Sequence, residues 1–319
     1  MKISVALCTY NGERFLQQQL DSIARQTQPP DELIVCDDGS MDATLEILKR
    51  FAAPFPAHVN PNPARLGVTK NFERAISLCG GDMIALADQD DVWQPEKLAR
   101  LHNALKAMPQ VGAVFSDADL IDGAGQPLDA TLWRSIHFSP REQQAINHGD
   151  ALAVLLKHRV VTGAALAFRA DLREKILPIP ESWVHDGWIA FVAALFADLR
   201  AIPEPLILYR QHERNFIGAA ATTTAQIGES LGRGRDSYTR NAQQYAELKE
   251  RIKSWNDVPD QARILRLLDA KIAHIRARAD LPRGRVGRVA PIFSELARGN
   301  YHHYSMGVKS AVKDLVLEN

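Results

Sequence analysis

Net charge is absent from this 319-residue chain, in which 38 Lys and Arg face 38 Asp and Glu. A general nucleic-acid binder needs a basic surplus to follow phosphates, so that class finds no support. Cysteine is scarce, with Cys8, Cys36 and Cys79 the only 3. They cannot all pair within the chain, and each lies in or beside an apolar stretch instead of a CxxC spacing, so they read as reduced core thiols. Long hydrophobic runs are missing too. The longest, near Trp188 to Ala197, is too short to span a bilayer, and the opening Met1-Lys2-Ile3 turns polar by Thr9-Tyr10-Asn11, too early for a secretory signal. A reducing cytosol is the expected compartment. Neither GxGxxG nor a GxxxxGK loop ending in Ser or Thr occurs, which removes the dinucleotide fingerprint and the P-loop as phosphate cradles. Any bound phosphate must be neutralised by other means.

What is present suits a globular enzyme-sized chain. Hydrophobic residues at 46% and charged residues at 24% are ordinary values, and the length allows one large domain or one domain with an appendage. The charge balance conceals an asymmetry. From Arg263 onward Arg266, Lys271, Arg276, Arg278, Arg283, Arg285, Arg288 and Arg298 outweigh Asp269, Asp280 and Glu295, so the end of the chain is cationic.

Short apolar runs alternate with helical patterns. Ile3 to Leu7 leads through Asn11-Gly12 into a stripe of Phe15, Leu16, Leu20 and Ile23; Leu33 to Cys36 leads through Asp37-Asp38-Gly39-Ser40 into a helix holding Leu45 and Leu48; a helix near Asn71 to Leu78 precedes a strand at Met83. That order predicts a parallel sheet covered by helices. Gly112 to Ser116, Val160 to Phe168 and Leu206 to Tyr209 read as further strands, and a helix follows His185-Asp186-Gly187-Trp188. Past Gly218, Thr222 to Gly234 reads as loop, with helices over Tyr238 to Ile252 and Ala262 to Arg278. A boundary is placed near residue 220.

The chemistry concentrates at Asp88-Gln89-Asp90-Asp91, where three carboxylates follow the apolar run Met83 to Ala87. Crowded carboxylates raise one another's pKa unless a cation or strong donors compensate, and a divalent ion such as magnesium or manganese suits hard oxygen ligands. The plain alternative is a solvated acidic loop before the helix from Pro95. Ligands of open α/β sheets bind beyond the carboxyl ends of the strands, and Thr9-Tyr10-Asn11, Asp37-Asp38 and Asp88 to Asp91 all fall there, which favours a shared crevice.

Val5 to Asn11, Asp37-Asp38-Gly39-Ser40-Met41-Asp42 and Leu86 to Trp93 occur in the order and spacing of the inverting nucleotide-sugar glycosyltransferases of family 2, which this chain resembles. The resemblance covers about residues 1–220 and implies a GT-A fold: a Rossmann-like mixed sheet flanked by helices, as the catalytic domain 1–220, with a helical basic extension over 221–319. The segment Leu208 to Gly218 looks like the bacterial branch often described as rhamnosyltransferases. Where the family frequently has Asn near position 65, this chain has Arg65.

The resemblance also implies roles. Thr9, Tyr10, Asn11, Asp37 and Asp38 would hold the nucleotide, with Asp88 facing its ribose and Lys70 adding positive charge. Asp90 would bind a divalent magnesium or manganese ion bridging the diphosphate, His212 being a second candidate at the metal, while Asp91 starts the following turn. His185 and Trp188 would form an acceptor wall, and Arg210 would meet the diphosphate. Asp186 would be the general base that takes the acceptor hydroxyl's proton. Each has a structural alternative: Asp37, Ser40 and Asp42 as a turn and helix cap, Asp186 as an N-cap. The partners implied are a nucleotide-sugar donor and a saccharide or lipid-linked saccharide acceptor in cell-surface polysaccharide synthesis, with no nucleic acid. The basic helices leave peripheral contact with the inner face of the cell membrane and homodimer formation both open. Two rival readings remain, a non-catalytic saccharide- or nucleotide-sugar-binding relative and a sugar nucleotidyltransferase; the latter should carry a basic Gly-rich loop after the first strand, which Thr9 to Arg14 matches poorly.

Overall fold

Strand β1 (Ile3–Thr9) is buried at all 7 positions, because its apolar residues face helices on both sides of the sheet. The computed structural model describes residues 1–212 and 235–316. Contacts divide the chain into two units, Met1–Ala151 with Val160–Ala221, and Leu152–Arg159 with Thr222–Asn319. The expected loop at Thr222 to Gly234, the Glu213 to Gly218 part of the tail motif and the boundary near 220 lie outside the described residues.

In the first unit α1 (Leu16–Ala24), β2 (Glu32–Asp37), α2 (Thr44–Arg50), β3 (Ala57–Pro61), α3 (Val68–Leu78) and β4 (Met83–Asp88) follow β1, in the expected alternation save for β3, a strand the sequence reading did not include. Leu16, Leu20 and Ile23 turn one face of α1 into the core, and β3, whose Ala57, His58 and Val59 are exposed, is the edge. The order β3-β2-β1-β4 is parallel throughout. After it the sheet becomes mixed, as the GT-A resemblance implies. β5 (Val92–Trp93), α4 (Lys97–Ala107), β6 (Val111–Ile121) and β7 (Pro127–Thr131) come next, then the short helices α5 (Leu132–Ser135) and α6 (Pro140–Asn147), before α7 (Ala151–Lys157), whose residues from Leu152 onward belong to the second unit. β8 (Leu166–Arg169), α8 (Arg173–Ile176), α9 (His185–Phe196) and β9 (Asp198–Arg210) complete the unit. β8 inserts antiparallel between β4 and β6, β9 runs parallel to β6, and β5 pairs antiparallel with β9. Mixed pairing therefore fills the second half. Only Leu166–Arg169 of the strand expected over Val160 to Phe168 is extended, since Gly163–Ala165 coils into a 3-10 turn.

One consequence positions the site. β4 ends at Asp88 and β5 begins at Val92, so the acidic loop is pinned at both ends by strands of the same sheet. The cysteines are free and buried.

The second unit contains α10 (Arg235–Ser254), α11 (Gln261–Ala279), α12 (Arg285–Ala297), α13 (Asn300–Tyr304) and α14 (Val308–Val316). The stripe of Tyr245, Leu248 and Ile252 and that of Ile264, Leu268, Ile272 and Ile275 are buried, so both serve packing. No helix among the described residues is long and apolar enough to cross a membrane. A polar knot ties α11 to the later helices. Asp314, fully buried, accepts Arg278 Nε at 2.6 Å and Nη2 at 2.9 Å, and also the Tyr301 hydroxyl at 2.7 Å. Bidentate geometry plus the hydroxyl offsets the desolvation of the pair. Nearby, His274 Nδ1 meets Glu295 at 2.6 Å and its Nε2 meets Ser305 Oγ at 2.9 Å.

Removing one member of such a pair leaves an uncompensated charge. Asp314→Ala is expected to destabilise the second unit by about 3–5 kcal/mol. Urea unfolding of the full chain, followed by helical circular dichroism, checks this; a loss under about 1 kcal/mol, the value of a surface pair, contradicts it.

Candidate active site

The carboxylates at the end of β4 meet a counter-charge from inside the protein. Lys97, at the start of α4, is fully buried; its ammonium donates to the Ala164 carbonyl at 2.6 Å and sits 3.6 Å from the Trp93 ring centroid. Burial pushes the Asp88 carboxyl up to about 7, the charges of Asp90 and Asp186 push the same way, and Lys97 opposes them. Asp91, 1% exposed, is raised by burial first, then by Asp90 and Asp88. Burial lowers the Lys97 ammonium, and Asp91 and Asp88 hold it up. These mutual influences place Asp88, Asp90, Asp91, Asp186 and Lys97 in one electrostatic neighbourhood, which also surrounds the buried Tyr209.

Lys97 was absent from the sequence expectations. A signal existed: it shares an i, i+4, i+8 stripe with Leu101 and Leu105, both buried, so a lysine there must enter the core.

Arg210, at the end of β9, is 2% exposed and belongs to the scaffold of this loop. Its backbone N–H donates to Asp91 Oδ1 at 3.0 Å, its Nε to the Asp90 carbonyl at 2.7 Å and its Nη2 to Gln18 Oε1 at 2.7 Å, with the guanidinium over the Phe15 ring at 4.6 Å. These donors, expected to meet a diphosphate, are engaged here with the chain's own acceptors. Beside it, His212 Nε2 lies 2.8 Å from Asp90 Oδ2.

Asp90 and His212 are the pair that could hold a divalent ion. A carboxylate and an imidazole suit manganese or magnesium, and side chains already within contact distance can converge on one ion. Among the described residues no group of three or more His, Cys, Asp or Glu forms a self-sufficient metal cage. The donor set therefore fits an ion that takes its remaining ligands from a diphosphate and water, as magnesium usually does.

At the ends of β1 and β2 the turn alternative prevails for Asp37. It is fully buried, and accepts Thr9 Oγ1 at 2.8 Å, Ser40 Oγ at 2.5 Å and the Gly39 and Ser40 N–H groups. Thr9 and Asp37 thus fix the turn, with hydroxyl and carboxylate directed at each other. Asp38 is also internally engaged. Its Oδ1 accepts Asn62 Nδ2 at 2.8 Å and the Leu66 N–H at 2.6 Å, and its Oδ2 the Gly67 N–H at 2.9 Å. The carboxylate docks the loop that carries Arg65, whose guanidinium lies 4.1 Å from the Tyr10 ring centroid. Gln89 brackets the Tyr10 backbone, accepting its N–H at 2.8 Å and donating to its carbonyl at 3.0 Å. Gly12 is needed there, since a Cβ would come within 2.2 Å of Gln89 Oε1. Asn11, at φ 48°, accepts the Met41 N–H through its side chain. Gln89, Asn62 and Asn71, which donates to the Cys36 carbonyl, are positioning residues that sequence reasoning missed.

Asp186 stands in the first turn of α9, half-buried, where the helix dipole favours a carboxylate. It is not the N-cap, which is Val184. Its Oδ2 accepts the Gly163 N–H at 3.2 Å and its Oδ1 the Gly187 N–H at 2.6 Å. The neighbours proposed as an acceptor wall are core residues. Trp188 is fully buried, donating its indole N–H to the Ile176 carbonyl at 2.7 Å, and His185, 4% exposed, stacks on Phe72 at 4.0 Å. Burial pushes His185 below the usual imidazole range, and a Cβ on Gly163 would meet its Nε2 at 2.6 Å. The Lys70 ammonium bridges Glu73 and the Ile179 carbonyl, both at 2.8 Å, and so ties α3 to the segment that carries Ile179.

The sequence profile described as glycosyl transferase family 2 matches residues 4–155. An uncharacterized glycosyltransferase of Nostoc sp. is 30% identical over 243 residues, which span 72% of this chain and 71% of that protein. The dTDP-rhamnosyl transferase RfbG of Shigella flexneri is 26% identical over 246 residues, 73% of this chain and 81% of its own. Among solved structures, S. aureus TarS 1-349 in complex with UDP-GlcNAc superposes with a TM-score of 0.60 at 15% identity, covering 93% of this chain and 81% of that one. Mannosyltransferase PcManGT from Pyrobaculum calidifontis, in complex with GDP-Man and Mn2+, gives 0.55 at 19% identity over 93% and 75%. At these identities the superpositions speak for the fold alone.

The raised Asp88 carboxyl has a thermodynamic signature. An acid held at about 7 when folded but near 3.8 when unfolded keeps its proton in the native state over that interval. The native state then binds more protons than the unfolded one, so this group's contribution to stability falls as pH rises from about 4 to about 7. Asp88→Asn is expected to remove that slope in metal-free protein. Denaturation midpoints across this range check it, and parallel curves for the two proteins contradict it.

Proposed function

Because the chain belongs to glycosyl transferase family 2, we propose that it transfers a sugar, with inversion, from a nucleoside-diphosphate donor to a saccharide or lipid-linked saccharide acceptor. The observation that carries this reading is the shared electrostatic neighbourhood of Asp88, Asp90 and Asp186 at the sheet's carboxyl end. The first unit is the catalytic domain, and the helices after residue 220 form an extension to it.

In this reading Tyr10, with Arg65 over its ring, forms one wall for the nucleotide base, and the turn built by Thr9, Asn11, Asp37 and Asp38 sets that wall in place. Asp88 faces a ribose hydroxyl. Asp90 and His212 would hold a divalent magnesium or manganese ion, which would supply positive charge to the departing diphosphate. The donor chemistry of the pair supports that assignment.

Asp186 is the catalytic base. Its carboxylate takes the proton of the acceptor hydroxyl as that oxygen bonds to the anomeric carbon from the face opposite the diphosphate. The bond from the anomeric carbon to the diphosphate oxygen breaks with its electron pair, which gives inversion. The Gly163 and Gly187 N–H groups orient the carboxylate. A rhamnose donor is the finer reading, supported by the Leu208 to Gly218 resemblance and the RfbG likeness.

Asp186→Asn is expected to lower transfer about 10²- to 10⁴-fold while donor binding and melting temperature stay near those of the parent. Full activity removes Asp186 from the mechanism, and release of pyrophosphate, or no reaction from the parent, favours a nucleotidyltransferase or a non-catalytic relative.

Asp90→Ala is expected to abolish the manganese-dependent part of the thermal shift produced by a nucleoside diphosphate, leaving the chelator baseline unchanged. An undiminished manganese increment contradicts the metal assignment.

A further inference from the structure

Val286, Val289 and Phe293 recur at helical spacing along α12, as do Val308, Val312 and Val316 along α14. All six are exposed, Val286 at 89% and Phe293 at 71%. Among the described residues Phe293 is the only Phe, Tyr or Trp in the exposed class. Each helix already has a core side. Ile292 and Leu296 from α12 and Ala311 and Leu315 from α14 pack in one cluster with Leu281 and Tyr301. The valines and Phe293 therefore form second apolar stripes, larger than scattered surface hydrophobics require.

Charge accompanies these stripes with one sign. Between residues 281 and 316 the acids are Glu295 and Asp314, and both are buried. Arg283, Arg285, Arg298 and Lys309 are exposed. Among the described residues this segment thus presents apolar and cationic groups outward without an exposed carboxylate. A second copy of the chain is a poor occupant, because a two-fold contact sets the patch against itself and brings cations together. An anionic lipid surface satisfies both features, taking the apolar stripe into the acyl boundary and the cations at the headgroups.

We propose that α12 and α14 form a face that docks the protein peripherally on an anionic bilayer, with Phe293 and Val289 inserted and Arg283 and Arg285 at the headgroups. This assignment rests on the surface alone and stands or falls independently of the donor and of catalysis.

Flotation of the full chain with vesicles of phosphatidylcholine, with or without phosphatidylglycerol, tests it. Recovery with the anionic vesicles, weakening as salt rises, is expected. Val289→Asp with Phe293→Asp should lower partitioning at least about tenfold, and Arg283→Glu or Arg285→Glu about fivefold each. Helical circular dichroism matching the parent confirms that each variant is folded. Absence of anionic-vesicle binding, equal binding by the folded variants, or a lipid-free dimer dispersed by Phe293→Asp would overturn the proposal.

Discussion

Four carboxylates share the end of one sheet, and a lysine sealed beneath them makes the arrangement tolerable. Asp91 is turned into the core and Asp88 is half-buried; the Arg210 N–H hydrogen-bonds Asp91, and the charge of Lys97 opposes the rise of both carboxyls. The lysine in turn survives burial through the Ala164 carbonyl and the Trp93 ring. Compensation is partial. Asp88 remains pushed up to about 7, by burial first and then by the charges of Asp90 and Asp186, and this coupling links the fold to the proposed chemistry.

Around that centre most polar side chains serve position. Arg210 fastens the acidic loop to β9, Gln89 fastens Tyr10, and Asp38 fastens the Arg65 loop. Each bond joins segments far apart in sequence, so the strand ends are set by long-range ties. Such preorganisation allows Asp186 to wait at the tip of α9 with its two oxygens fixed by backbone donors.

Periodicity made much of the first half of the sheet legible: the alternation through Met83 predicted parallel strands at β1, β2 and β4, which the sheet has, but it gave neither the edge strand β3 nor the strand order. The second half was less so, because antiparallel insertion of β8 depends on where a chain returns, and no local pattern records that. Motifs located the strand ends well. They could not tell which polar side chains at those ends are engaged by the protein itself. Asp38, Arg210 and Lys70 were read as ligand-facing, yet the Leu66 N–H, the Asp90 carbonyl and the Ile179 carbonyl claim them through backbone atoms to which sequence gives no address. Trp188 shows the opposite limit, since motif position suggested a wall and the apolar surroundings of α9 put it in the core. Lys97 was legible in principle, from its place on a leucine stripe.

The central claim, that these acids form one coupled site able to take a cation, is tested most directly by proton release. Binding of manganese with a nucleoside diphosphate near pH 6 can be followed by calorimetry in buffers of different ionisation enthalpy, for the parent protein and for Asp88→Asn. Cation binding to a cluster containing a protonated Asp88 should expel protons from the parent in excess of those the ligand itself releases, and Asp88→Asn should lack that excess. Identical proton release from both proteins would contradict it.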